Sequence, residues 1–197
     1  MLCTYLGWKT ARDSGFALRA TSPDSQAIFL AQSRQFFTWV KTSVAITDIL
    51  SEGLIKIGME AIDKDEAIAE LLEVLVRAGR VKDRNAAMNA ILRREAQGST
   101  GIGGGIGIPH GKDQSIERLA VAIGTSPDGI EFDALDNQPV NVVFMVLAEG
   151  NNPGPHVQLL SELAVLLQTP NFKERLIAAR NPAEALQIVR EAEEYEA

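Results

Sequence analysis

Apolar residues recur at helical spacing through "DKDEAIAELLEVLVRAG", with Ile68, Leu71, Leu72 and Leu75 on one side, so this stretch is predicted to be an amphipathic helix. Asp63 and Glu66 stand at capping-box spacing at its start, and Gly79 suits its end. A second helix is predicted from near Asp83 through "NAAMNAILRREAQ", with Gly98 as its stop. Upstream, "SEGLIKIGM" reads as a short strand entered by a turn. Downstream the period changes. "GIGI" is a short strand ending at Pro109, while "LAVAIGT" and "VNVVFMVLA" are near-continuous valine- and isoleucine-rich runs bounded by turn residues, as buried strands are. Between them, "SPDGIEFDALDNQP" supplies turns and a small edge strand. Helical spacing then returns in "PHVQLLSELAVLLQT", where Leu159, Leu160, Leu163 and Leu167 share a side. "NFKERLIAAR" and "NPAEALQIVREAEEYE" follow, each opened by an asparagine suited to capping. Pro182 sits where a first-turn proline belongs, and Glu184 completes another capping box. Strand, two helices, three strands and three helices predict an α/β fold, a mixed sheet with helices on both faces.

Composition and charge narrow the function. Of 197 residues 46% are hydrophobic and 23% charged, the balance of a globular domain with room for a core. The net charge of −7 argues against nucleic acid as a partner, because such proteins present a basic face. Residues 1–43 differ, with five basic and two acidic side chains and no sustained periodicity. They are read as a loosely ordered N-terminal extension; "SQAIFLAQSRQFFTWVK" within it has the pattern of one amphipathic helix, and an over-long gene start fits the segment equally well. The main domain is placed at residues 44–191, and 192–197 are read as a fraying acidic tail. One cysteine, Cys3, leaves no internal disulfide and no multi-cysteine zinc site. No run of eighteen apolar residues and no secretory pattern is present, so no membrane insertion is expected and the cytoplasm is the expected compartment.

The chemistry concentrates in "GSTGIGGGIGIPHGK", residues 98–112, where seven glycines surround one of the chain's two histidines. Glycine lets backbone amides approach a ligand without an intervening Cβ, and successive inward amides make an anion site. Gly98, Ser99, Thr100, Gly101 and Gly111 are therefore candidate phosphate-binding positions. Neither a Walker-type motif nor a dinucleotide fingerprint is present, because the glycines precede a strand rather than linking strand to helix. Pro109 restricts its neighbour and holds the His110 imidazole at a strand terminus. His156 lies where a helix begins, in "EGNNPGPHVQLL", placed either to donate to an anion held by His110 or to orient its ring. Arg94 ends the second helix, and its planar fork suits phosphate; Arg93 beside it points about 100° away on the helix and serves as the solvent-exposed contrast. Two histidines without a third ligand at suitable spacing give no metal site, and no cofactor is implied. Asp136, in "DALDNQPV", is read as capping its own turn.

"RREAQGSTGIGGGIGIPHGK", "GIEFDALDNQPVNVVFMVLA" and "PHVQLLSELAVLL" together resemble the type-2 enzyme IIA domain of the bacterial phosphotransferase system, the fructose, mannitol and nitrogen-regulatory kind. The resemblance covers roughly residues 44–190 in order. It implies a three-layer α/β/α sandwich around a mixed sheet, with the strands before the two histidines side by side. It also implies that His110 accepts a phosphoryl group from the phosphorylated histidine phosphocarrier protein, with His156 and Arg94 as its active-site partners. The acceptors or readers of that group are an enzyme IIB or regulatory targets. Gly107 departs from the alanine frequent in "GIAIPHG" and is expected to loosen the strand slightly. The absence of fused permease and enzyme IIB segments from this sequence leans toward the nitrogen-regulatory branch. The alternatives are sugar-transport delivery and a non-catalytic docking module.

Overall fold

A computed structural model describes residues 45–195. The extension at 1–43, its amphipathic helix and Cys3 lie outside the described residues. The described residues open with a short helix α1 (Ile46–Ile49), a 3-10 turn (Glu52–Leu54) and strand β1 (Ile55–Ile57). Helices α2 (Lys64–Arg77) and α3 (Arg84–Glu95) follow, then strands β2 (Gly101–Gly103), β3 (Ile106–Gly107), β4 (His110–Asp113), β5 (Ala120–Ile130) and β6 (Val140–Glu149). Three helices close the sequence: α4 (Pro153–Leu166), α5 (Phe172–Ala178) and α6 (Pro182–Tyr195).

Local chemistry sets most of these boundaries. Asp63 accepts a hydrogen bond from the Glu66 amide at 2.9 Å and opens α2; Asp83 does the same for the Ala86 amide and opens α3. At the far end of α2, Gly79 takes φ +68°, its amide bonds the Val76 carbonyl, and the Arg80 amide bonds that of Leu75. That pair is a Schellman stop, which needs a residue tolerant of positive φ. Asn181 accepts from the Glu184 amide at 2.9 Å and Pro182 occupies the first turn of α6, as predicted. Asn171 departs from expectation. It adopts φ +58° and makes no side-chain cap, so it serves α5 as a left-handed hinge after Pro170.

The six strands form one open mixed sheet in the order β1-β5-β6-β3-β2, with β4 also on β6. β1 runs parallel to β5, β5 antiparallel to β6, and β3 and β4 parallel to β6, so both "LAVAIGT" and "VNVVFMVLA" are central. Their residues from Ala120 to Thr125 and from Val142 to Ala148 are buried, because helices cover both faces of a three-layer α/β/α sandwich. Ile68, Leu71, Leu72 and Leu75 are fully buried on α2, as are Leu159 and Leu163 on α4. Phe144 of β6 stacks on Phe172 of α5, with centroids 6.5 Å apart.

Three features differ from the sequence reading. "SPDGIEF" holds no separate edge strand; β5 continues through a bulge to Ile130, which pairs with Val140. "HGKD" forms a strand of its own, β4, although none of its residues favours strands, because β6 offers a parallel partner from Val146 to Glu149. The acidic end is helical as far as it is described. α6 continues to Tyr195, Ala192 is buried, and the Glu193 carboxylate accepts from the Ile46 and Thr47 amides and the Thr47 hydroxyl, capping α1.

Gly111 fixes how closely α3 lies on β4. A Cβ at that position would stand 2.8 Å from the backbone carbon of Ala90 and the nitrogen of Ile91. Helix backbone cannot yield as a side-chain tip does, so Gly111→Ala is expected to destabilise the fold by about 3 kcal/mol, the upper end of overpacking costs. Urea unfolding checks this; a midpoint equal to wild type contradicts the close approach.

Candidate active site

β3 and β4 run along the same side of β6, separated only by Ile108 and Pro109. Proline has no N–H to give a ladder, so pairing lapses there, yet the Pro109 carbonyl still accepts from the Val146 amide at 3.0 Å. The register is kept across the break, with Gly107 opposite Val143 and His110 opposite Val146. His110 therefore sits at a rigid position on a central strand's flank and is half-buried. Its Nδ1 lies 2.8 Å from the Ile108 carbonyl oxygen. A carbonyl only accepts, so Nδ1 carries the hydrogen and Nε2 keeps the lone pair. Arg94, in the last turn of α3, donates from Nε to that Nε2 at 3.1 Å and from Nη1 to the Gly98 carbonyl at 2.9 Å.

His156 arrives from the other side. β6 ends at Glu149, the Gly150 amide bonds the Asp113 carbonyl at 3.1 Å, and α4 starts at Pro153 with His156 in its first turn. The strands preceding the two histidines are thus neighbours. The ring centroids stand 5.3 Å apart with planes tilted by 44°. His156 is 3% exposed, and neither of its ring nitrogens has a hydrogen-bond partner among the described residues. Burial, with the charges of His110 and Lys112 adding to it, pulls its pKa down to about 4. Burial also lowers His110; Arg94 and Lys112 act in the same direction, opposed by the Ile108 carbonyl and Glu95. Both rings are consequently neutral at pH 7.

Arg94, His110 and His156 are brought together; the loop positions play a different part. Gly104 and Gly105, at φ +62° and +78°, form the two-residue turn of a hairpin between β2 and β3. A Cβ at Gly101 would meet Ala134 at 2.8 Å, one at Gly103 the Asp136 carboxylate at 3.1 Å, and one at Gly107 the Phe132 ring at 3.1 Å. The segment from Phe132 to Asp136 crosses the hairpin at these points, and side chains would hold it off. Gly107 thus admits the Phe132 ring where the sequence reading expected only a looser strand. The amides are also engaged internally: Thr100 donates to Glu95, Gly101 to the Ser99 hydroxyl and Gly104 to Asp136. Ser99 donates its hydroxyl to the Phe132 carbonyl, and Gly98 presents its carbonyl to Arg94. The Arg94 guanidinium bonds Nε2 and the His156 ring stands beside His110, while of the positions read as phosphate-binding, Gly98, Ser99, Thr100, Gly101 and Gly111, the amides of Gly98, Thr100 and Gly101 are bonded to Glu95 and Ser99. Asp136, bonding the Gly104 and Gln138 amides, is the turn-holding residue expected. Arg93 is 61% exposed but not free; it pairs with Asp113 at 3.1 Å and ties α3 to β4.

Two neighbours escaped sequence reasoning. Lys112 stands two residues beyond His110 on the same strand, hence on the same face, and its charge bears on both imidazoles. The signal was the spacing itself, hidden because "HGKD" was not read as a strand. Glu95, adjacent to Arg94, is nearly buried and had no sequence signal beyond that adjacency.

The depressed His156 sets an acid response. Its folded pKa of about 4 lies below the ordinary 6.5, so its contribution to stability is full above about pH 6.5 and is lost as pH falls toward 4. Stability is expected to drop there by about 1.4 kcal/mol per pH unit. Urea denaturation from pH 7 to 4.5 checks this, with His156→Phe flattening most of the slope; an equal slope in that variant contradicts it.

The chain matches the family described as "Phosphoenolpyruvate-dependent sugar phosphotransferase system, EIIA 2" over residues 48–192. It is 40% identical over 144 residues to the fructose-specific EIIABC component of Bacillus subtilis, covering 73% of this chain and 23% of that longer protein. It is 38% identical to the fructose-specific EIIA component of Haloferax volcanii, covering 76% of this chain and 97% of that one. Among solved structures it resembles the nitrogen regulatory protein IIA-Ntr of Neisseria meningitidis, at 29% identity with a TM-score of 0.68 over 73% of this chain and 98% of that one. It also resembles the mannitol enzyme IIA of Escherichia coli, solved in complex with phosphorylated enzyme IIB, at 26% identity and a TM-score of 0.63 over 72% and 97%. Among the described residues no helix is long and apolar enough to cross a membrane.

Proposed function

Because this chain belongs to the EIIA 2 family of the phosphoenolpyruvate-dependent sugar phosphotransferase system, we propose that it is a phosphocarrier in which His110 accepts a phosphoryl group from the phosphorylated histidine phosphocarrier protein. The observation that carries this reading is the pair of bonds on the His110 ring. Nδ1–H is fixed on the Ile108 carbonyl, and Nε2 holds its lone pair toward Arg94.

The lone pair of Nε2 attacks phosphorus in line with the donor's phosphorus–nitrogen bond. That bond breaks, and its electron pair returns to the donor imidazole. His110 keeps its Nδ1 hydrogen, so positive charge grows on the ring and the Ile108 carbonyl dipole stabilises it. Arg94, which lies on Nε2 in the resting protein, moves its donors to the phosphoryl oxygens and balances their charge. His156, buried and without a hydrogen-bond partner among the described residues, gains an acceptor when a phosphoryl oxygen arrives within reach of its N–H. One phosphoimidazole replaces another, so neither metal nor cofactor is called for. Val157, which follows His156 on α4, is 58% exposed and offers apolar surface to a protein partner.

The test is incubation of the whole chain with radiolabelled phosphorylated carrier protein. Acid-labile, base-stable label is expected; its absence with an active donor overturns the reading. Two outputs follow from the relatives. Delivery to an enzyme IIB is supported by the likeness to the two fructose-specific proteins. A nitrogen-regulatory output rests on the likeness to the Neisseria structure. Adding purified enzyme IIB to the labelled chain separates them. Rapid loss of label supports transport, and retention supports a regulatory readout.

A further inference from the structure

The Glu95 carboxylate lies at the end of α3, directly after Arg94, and its side chain is only 8% exposed. It accepts from the Thr100 amide at 3.3 Å and from the Thr100 hydroxyl, and Lys64 of α2 stands 3.6 Å away. Lys64 in turn pairs with Asp133 at 2.8 Å. A nearly buried carboxylate with this many donors is a fixed point, since removing its partners would strand a charge.

From that point two short paths lead to the reacting atoms. Along the chain, Glu95 is bonded covalently to Arg94, whose guanidinium reaches Nε2. Across space, the Thr100 carbonyl accepts from the Ile108 amide at 2.9 Å, and the Ile108 carbonyl accepts from His110 Nδ1–H at 2.8 Å. The loop from Glu95 to Thr100 is closed further by the Gly98 amide on the Glu95 carbonyl and by Arg94 Nη1 on the Gly98 carbonyl. Both the donor and the acceptor of the Arg94–His110 bond are therefore referred to one carboxylate.

We propose that Glu95 is a positioning residue which, through Thr100 and Ile108, holds His110 in its Nδ1–H tautomer and keeps Arg94 in register with Nε2. This rests on the phosphocarrier reading for its consequence, but not for its measurement. Lys64, 3.6 Å from the carboxylate, sets a positive charge against it. Asp133, 76% exposed, is the outer end of the same chain of charges.

The experiment measures His110 tautomer populations by long-range proton–nitrogen NMR on the full chain, alongside phosphoryl transfer from the phosphorylated carrier protein. The variants are Glu95→Ala, Glu95→Gln and Thr100→Val. Wild type is expected almost wholly in the Nδ1–H form. Glu95→Ala and Thr100→Val are expected to give a mixture and to slow transfer roughly tenfold at saturating donor, with the half-saturating donor concentration unchanged. Glu95→Gln, which keeps an acceptor, is expected to recover most of both. A folded Glu95→Ala with wild-type tautomers and rate overturns the proposal. If that variant does not fold, Thr100→Val, which exchanges a hydroxyl for a methyl, decides: unchanged tautomers and rate overturn it. Should wild type take no phosphate, the phosphocarrier reading fails, while the tautomer populations still decide the role of Glu95.

Discussion

His110→Ala is expected to abolish acid-labile phosphorylation of this chain while leaving its unfolding midpoint close to wild type. The ring is half-buried and contributes two hydrogen bonds, to Ile108 and Arg94, so its removal costs little stability. Its removal takes away the Nε2 lone pair that Arg94 faces. His156 does not substitute, although its centroid is only 5.3 Å away, because it is 3% exposed and both its ring nitrogens are buried. His156→Ala should therefore still accept label, at a lower rate. Label in His110→Ala at the wild-type level would move the acceptor elsewhere and sink the assignment.

Arg94→Ala should slow transfer by about 10²–10³-fold, the usual loss on removing a donor aimed at developing charge. Arg94→Lys should recover part of that, since an ammonium supplies charge without the planar fork. A second readout separates electrostatics from collapse of the site. The guanidinium is one of the influences that lower the His110 pKa, so that pKa should rise in Arg94→Ala. Proton NMR titration follows it directly. A transfer rate within twofold of wild type, or an unmoved His110 titration, would exclude the guanidinium from the chemistry.

Much of the architecture was legible because it is written in local periodicity. Ile68, Leu71, Leu72 and Leu75 are a helical stripe in any context, and Asp63, Asp83 and Asn181 cap because their short acceptors reach amides three residues on. β4 was not legible, since "HGKD" acquires strand form only from β6, whose paired residues lie 36 positions on in sequence. The glycine run shows the same limit. Its Gly104–Gly105 turn is a local signal, but the crossing of Phe132 to Asp136 that forbids side chains at Gly101, Gly103 and Gly107 is not. Hence Arg94, His110 and His156 could be placed from motif and element ends. Of the amides read there as a phosphate cradle, those of Gly98, Thr100 and Gly101 are bonded to Glu95 and Ser99, which only the folded loop reveals.

The bond between Glu193 and the first turn of α1 brings residues 46 and 193 into contact. Polypeptide attached before or after this body therefore leaves from neighbouring spots. A folded body with adjacent entry and exit can be spliced into a longer chain with little strain on either junction. Such geometry makes it a portable cassette, compatible with a relative in which the matching stretch fills 23% of a multi-component protein.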